Sequence, residues 1–151
     1  MPDIGIVWDA EDGRGDWARA DQTPAGADDG TGGDLTAAVL VSVFTDRRLP
    51  DDRMPDGTDD RRGWWADAYE DEPIGSLLWT LDRSKRTNAV LLAARDYCRQ
   101  ALRWLTREGV AGAVDVQTYW LGSVALGITI TVTISSRPDA VIRTLLPWGS
   151  A

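Results

Sequence analysis

From Leu126 to Ser135 apolar and small residues alternate without a break: Leu126, Ile128, Ile130, Val132 and Ile134 against Gly127, Thr129, Thr131, Thr133 and Ser135. A period of two puts every apolar side chain on one face of an extended strand, so this segment requires a sheet with one covered face. Val114, Val116, Thr118 and Trp120 alternate in the same way just upstream. The link Leu121–Ala125 is so short that the two strands pair antiparallel. Beyond Arg137-Pro138-Asp139, residues Val141–Leu146 offer a third strand.

Helical periodicity supplies the cover. Leu35, Ala38, Val39, Ser42 and Val43 form a buried stripe on a helix from an Asp34 cap to about Thr45. Leu40, Val41 and Phe44 widen that stripe and predict burial on more than one side. A short helix is expected over Gly75–Leu81. A longer one runs from about Asn88 to Arg107, capped by Thr87 or Asn88 and stopped at Gly109. Its core face carries Leu91, Ala94, Cys98, Ala101, Leu102 and Leu105, and its outer face Asp96, Arg99, Arg103 and Arg107. Ile4–Trp8 reads as a strand with Trp17–Ala20 as its hairpin partner. The expected fold is α+β: an antiparallel sheet of about three to five strands with two or three helices packed on one face. It forms a single domain over residues 1–151, with flexible loops at about 21–33 and 46–63.

With 151 residues, 43% of them hydrophobic, one domain can bury roughly 70% of its unfolded surface. The single cysteine, Cys98, excludes an internal disulfide, and there is no histidine. That removes the commonest general base and the preferred ligand for zinc, copper or nickel. Asp52, Asp56 and Asp60 around Gly57 do not make a calcium loop, since Met54 takes the third loop position and Gly63 stands where the closing glutamate belongs. Asp9, Glu11, Asp12 and Asp16 fit no better and read as solvated turns. Carboxylate-pair glycoside hydrolysis has candidates in Glu11, Glu70 and Glu72, but no feature marks one of them as desolvated. The glycine-rich segments lack a phosphate-loop lysine, and Ser123 and Ser135 have no activating base. No catalytic, cofactor-binding or metal-binding residue is therefore assigned. The start of the chain lacks the features of a secretion signal, and no apolar run approaches the ~20 residues of a membrane helix. The expectation is a soluble protein made in the cytoplasm, with no membrane partner.

The formal net charge of −8 argues against nucleic acid as a partner. Residues 1–72 hold 19 acids and 7 arginines, whereas residues 73–151 hold 5 acids and 9 bases. A chain polarised in this way can present unlike faces to two neighbours, or simply carry an acidic loop region before an ordered core. The string Asp60-Arg61-Arg62-Gly63-Trp64-Trp65-Ala66-Asp67 sits inside the acidic half. Arginine stacks on indole faces and grips carboxylates, and both residue types are enriched among interface hot spots. One ring of Trp64 and Trp65 is expected to be buried against the helix starting near Gly75, leaving the other for a partner. The alternative is that both rings staple the acidic loop to the core.

Read with Phe44-Thr45-Asp46-Arg47-Arg48 upstream and Ile74-Gly75-Ser76-Leu77-Leu78-Trp79 downstream, this string resembles the small baseplate proteins of Mu-like contractile-tailed phages. Those are relatives of the wedge protein on which the tail sheath begins to assemble. The resemblance covers most of residues 34–136, with Ala66 where glycine is more usual. It implies a structural, non-enzymatic protein of the virion tail baseplate, made in the host cytoplasm. Its implied partners are larger baseplate wedge subunits and the tail sheath protein, with tail-tube or hub proteins as further candidates. Arg47, Arg48, Arg61, Arg62, Trp64, Trp65 and Asp67 would make or shape the wedge contact. The 126–136 hairpin, with Ile130, Val132 and Ile134, and the possible third strand would offer strand edges to the sheath. Two alternatives accompany it: a tail-associated peptidoglycan hydrolase, and the equivalent subunit of a contractile bacteriocin or secretion machine.

Overall fold

The computed structural model describes residues 4–9, 14–19, 32–53, 59–69, 71–135 and 137–148. Strands β1 (Ile4–Asp9) and β2 (Arg14–Arg19) pair antiparallel, with Ile4 opposite Arg19. Most of the expected 21–33 loop lies outside the described residues, and Gly32 and Gly33 already belong to helix α1 (Gly32–Phe44). Asp34 therefore stands within the first turn rather than before it. Of the 46–63 loop, residues 54–58 lie outside the described residues.

Leu35, Val39, Ser42 and Val43 of α1 are buried, as their spacing requires. Val41 and Phe44 are not: they are 51% and 39% exposed, so the stripe is narrower than expected. Buried Ser42 is satisfied twice, since its hydroxyl donates to the Ala38 carbonyl and accepts from Trp104 Nε1 (3.0 Å).

Helix α2 (Asn88–Ala101) starts at Thr87, whose side chain accepts a hydrogen bond from the Val90 amide (3.3 Å). Val90, Ala94, Cys98 and Ala101 form its buried face. The single long helix expected here is broken at Leu102, whose φ of −100° and ψ of 3° leave the helical region, and α3 (Arg103–Arg107) follows. The break has a packing cause. Leu102 and Leu105 are 1% and 0% exposed, and a turn after Ala101 lets adjacent positions 101 and 102 both face inward.

The main sheet has the order β3-β4-β5, all antiparallel, with β3 Ala113–Leu121, β4 Ala125–Ile134 and β5 Arg137–Pro147. Leu126, Ile128, Ile130 and Val132 of β4 are fully buried, each stabilising the fold by roughly 2 kcal/mol relative to exposure. Helix α2 lies against β3, and Thr118 Oγ1 donates to the Leu91 carbonyl (2.8 Å). Residues of α1, α2, α3 and the three strands share one core, the α+β arrangement expected from the sequence.

The edge assignment divides between β4 and the third strand, β5. Strand β4 is paired on both sides, so Ile130 and Val132 face the core of a central strand, and Ile134, partly buried, ends the same strand beyond a bulge. Among the described residues, β3 and β5 are the outer strands of this sheet. Alternation reports which face is covered, not which side is paired.

Candidate interaction site

Three stretches distant in sequence meet where α1 ends. Asp46 and Ser76 form an isolated parallel bridge, with the Arg47 amide donating to the Ser76 carbonyl (3.0 Å) and the Ser76 amide to that of Thr45 (2.9 Å). The buried Ser76 hydroxyl donates to the Val43 carbonyl, one of the acceptors that a helix end leaves unpaired. Gly75 is required for this approach: its φ is +101°, and a Cβ there would stand 2.3 Å from the Thr45 carbonyl oxygen.

The second stretch is fastened to the first. The Leu49 amide donates to the Arg61 carbonyl (2.9 Å), and the Arg61 guanidinium pairs with Asp51. Arg62 occupies the left-handed region at φ 50°, a conformation that costs a non-glycine residue on the order of 1 kcal/mol. Its surroundings offset that cost. Its amide donates to Asp60 Oδ1 (3.1 Å), and its guanidinium donates to Asp46 Oδ2 at 2.6 Å. The guanidinium carbon also lies 4.6 Å from the centre of the Trp79 ring. The hydrogen bond to Asp46 is the main cause of a raised Arg62 pKa; burial opposes it, and the charges of Asp46, Asp60 and Asp82 add to it. Trp79 Nε1 in turn donates to the Arg47 carbonyl (2.9 Å). Gly63, at φ +104°, presses on the Arg48 side chain, where a Cβ would come within 2.8 Å of the Arg48 Cβ.

A surface of opposite character follows immediately. Residues Trp65–Tyr69 form a short 3-10 helix, held by the Asp67 carboxylate, which accepts from the amides of Trp64 and Ile74 (3.1 Å each). Only Ala66 of that helix is buried. Trp64, Trp65 and Tyr69 are 41%, 77% and 83% exposed. The two indoles are tilted by 53° with centroids 5.6 Å apart, within the range of an aromatic contact. The expected burial of one of these rings against the Gly75 segment is not found; the indole engaged there is that segment's own Trp79. Further along, Arg107 of α3 donates to Glu72 (2.6 Å), tying down the chain after the helix. The same bond is the leading cause of a raised Arg107 pKa.

The residues expected at an interface thus divide. Arg47 acts through its carbonyl, Arg48 through its packed stem, and Arg61, Arg62 and Asp67 through bonds internal to the chain. Trp64 and Trp65 remain outward. Ile130, Val132 and Ile134 belong to the sheet and not to this cluster. Sequence reasoning passed over Asp46 as an anchor and Tyr69 as an exposed aromatic; a Trp65 to Tyr69 spacing of one helical turn was the available signal for the latter.

Elsewhere, Trp120 stacks edge-on against buried Trp148 at 5.1 Å, with Arg86 over its ring. Burial pushes the Cys98 thiol up to about 12, so at neutral pH it is a protonated core group. Among the described residues no group of three or more histidine, cysteine, aspartate or glutamate side chains is placed to hold a metal ion. No helix among them is long and apolar enough to cross a membrane.

The three stretches joined here are the segments whose order resembled the Mu-like baseplate proteins, and the whole-chain comparison agrees. The chain belongs to the phage protein GP46 family, whose profile matches residues 35–139. It is 45% identical over 143 residues to baseplate protein gp46 of Escherichia phage Mu, covering 94% of this chain and 92% of that one. It is 38% identical over 117 residues to Mu-like prophage FluMu protein gp46 of Haemophilus influenzae, covering 77% of this chain and 75% of that one.

Proposed function

We propose that this chain is a structural, non-catalytic subunit of a contractile-tail baseplate, located in the virion. In this reading it binds larger wedge subunits through the 61–69 segment and helps to start the tail sheath. Its kinship with a baseplate protein of phage Mu supports the location. The observation that carries the interface is the rigid display of Trp65. An indole exposed to 77% on a segment fastened by Arg62, Asp67 and Glu72 is held ready for a partner at little further entropic cost. Trp64 and Trp65 make the contact, while Arg47, Arg48, Arg61, Arg62 and Asp67 shape it.

Replacing Trp65 by alanine tests this. The variant should melt within about 2 °C of the parent. Its content in purified baseplates, measured by quantitative mass spectrometry, should fall more than about tenfold. A melting temperature lowered in step with the loss would assign Trp65 to folding instead.

For the sheath, the outer edge of β5 is the natural receptor, since an unpaired edge adds a neighbouring strand through backbone hydrogen bonds. Val141 and Leu145, exposed on this strand, can be changed to lysine with little loss of core. Sheath polymerisation on baseplates carrying both changes should fail, and normal sheath length would rule the edge out.

A further inference from the structure

We infer that the exposed aromatic surface at Trp64, Trp65 and Tyr69 receives arginine or lysine side chains of a different protein; this rests on the interface reading above and specifies its partner chemistry. The argument turns on what surrounds the rings. Residues 59–72 contain six carboxylates and two guanidiniums. Both guanidiniums are engaged inside the molecule, Arg61 with Asp51 and Arg62 with Asp46 and the Trp79 ring. Although Asp60 and Glu72 are paired with Arg62 and Arg107, the stretch that carries the aromatic rings is acidic on balance.

Three kinds of partner surface can be compared against that arrangement. A purely apolar patch that also covered the exposed carboxylates of the same stretch, Asp59 and Asp71, would bury them with nothing to pair them, which is costly. An acidic patch would be repelled. A cationic side chain answers both features at once, because its charge sits over an indole or phenol face while its N–H groups reach carboxylates. Guanidinium fits best, being planar, weakly hydrated and able to donate in a fork. The tilt between the indoles leaves ring faces in two directions, so more than one cation can be received.

The test uses tails assembled with variant full-length chains. The variants are Trp65→Ala, Trp65→Phe and the double charge reversal Asp59→Lys with Asp71→Lys, all at exposed positions. A fourth carries a photo-crosslinking benzophenone amino acid at position 69. Melting temperatures of the isolated variants serve as the folding check. The expected result is that Trp65→Ala and the double reversal each retain less than about a tenth of the parent's occupancy. Trp65→Phe, which keeps a ring face, retains several-fold more than Trp65→Ala. Crosslinks from position 69 fall within a few residues of arginine or lysine in another protein. Loss with Trp65→Ala but parental occupancy for the double reversal would overturn the cationic partner and leave the interface standing. So would crosslinks to a stretch lacking basic residues, or to a second copy of this chain. Parental occupancy of Trp65→Ala, with no crosslink at all, would overturn the interface itself.

Discussion

Trp79 and Trp65 are separated by a short stretch of chain and treated in opposite ways. Trp79 donates its N–H to the Arg47 carbonyl and carries the Arg62 guanidinium on its face. Trp65 is 77% exposed. In Arg62-Gly63-Trp64-Trp65 the guanidinium, itself at the surface, is bonded to Asp46 and set over the Trp79 ring, and both indoles are exposed. An arrangement that leaves large apolar rings in water while engaging guanidiniums internally does little for folding. It makes physical sense when the rings are completed by another molecule. One tryptophan holds the platform, and the other is what the platform holds out.

That contrast can be broken at either end. The largest effect is expected at the anchor, where Gly75→Ala would force a methyl group onto the Thr45 carbonyl at a positive φ. Strain and overpacking together should cost about 3 kcal/mol, measured by chemical denaturation. Trp79→Phe keeps a ring but leaves the Arg47 carbonyl without its donor. It should lose about 2 kcal/mol, or roughly 4–8 °C in melting temperature. Trp65→Ala should change stability by less than about 0.5 kcal/mol. If Trp65→Ala destabilised as much as Trp79→Phe, the contrast between the two indoles would disappear.

The sheet was the most legible part of the molecule, and for a definite reason. Alternation in β3 and β4 records a covered face, and Val116, Leu126, Ile128, Ile130 and Val132 are all at 1% exposure or less. The same pattern is silent about neighbours, which is why β4 proved central rather than an edge. The break at Leu102 was invisible because leucine is a good helix former and neither glycine nor proline marks the place. It is imposed by the need to bury adjacent positions. The site was legible as a cluster but not in its orientation. Which way Arg62 points depends on Asp46, sixteen residues earlier, and on Trp79 beyond the aromatic segment. Local composition brought the right residue types to notice; only the meeting of three distant stretches assigned each its side.

Hydroxyl-radical footprinting of the free subunit and of the assembled baseplate would test the central claim most directly. Oxidation of Trp65 and Tyr69 should fall about tenfold or more on assembly, while Trp79, already half-buried and bonded, reacts alike in both states. Trp65 and Tyr69 reacting as readily in the particle as in the free subunit would contradict the account.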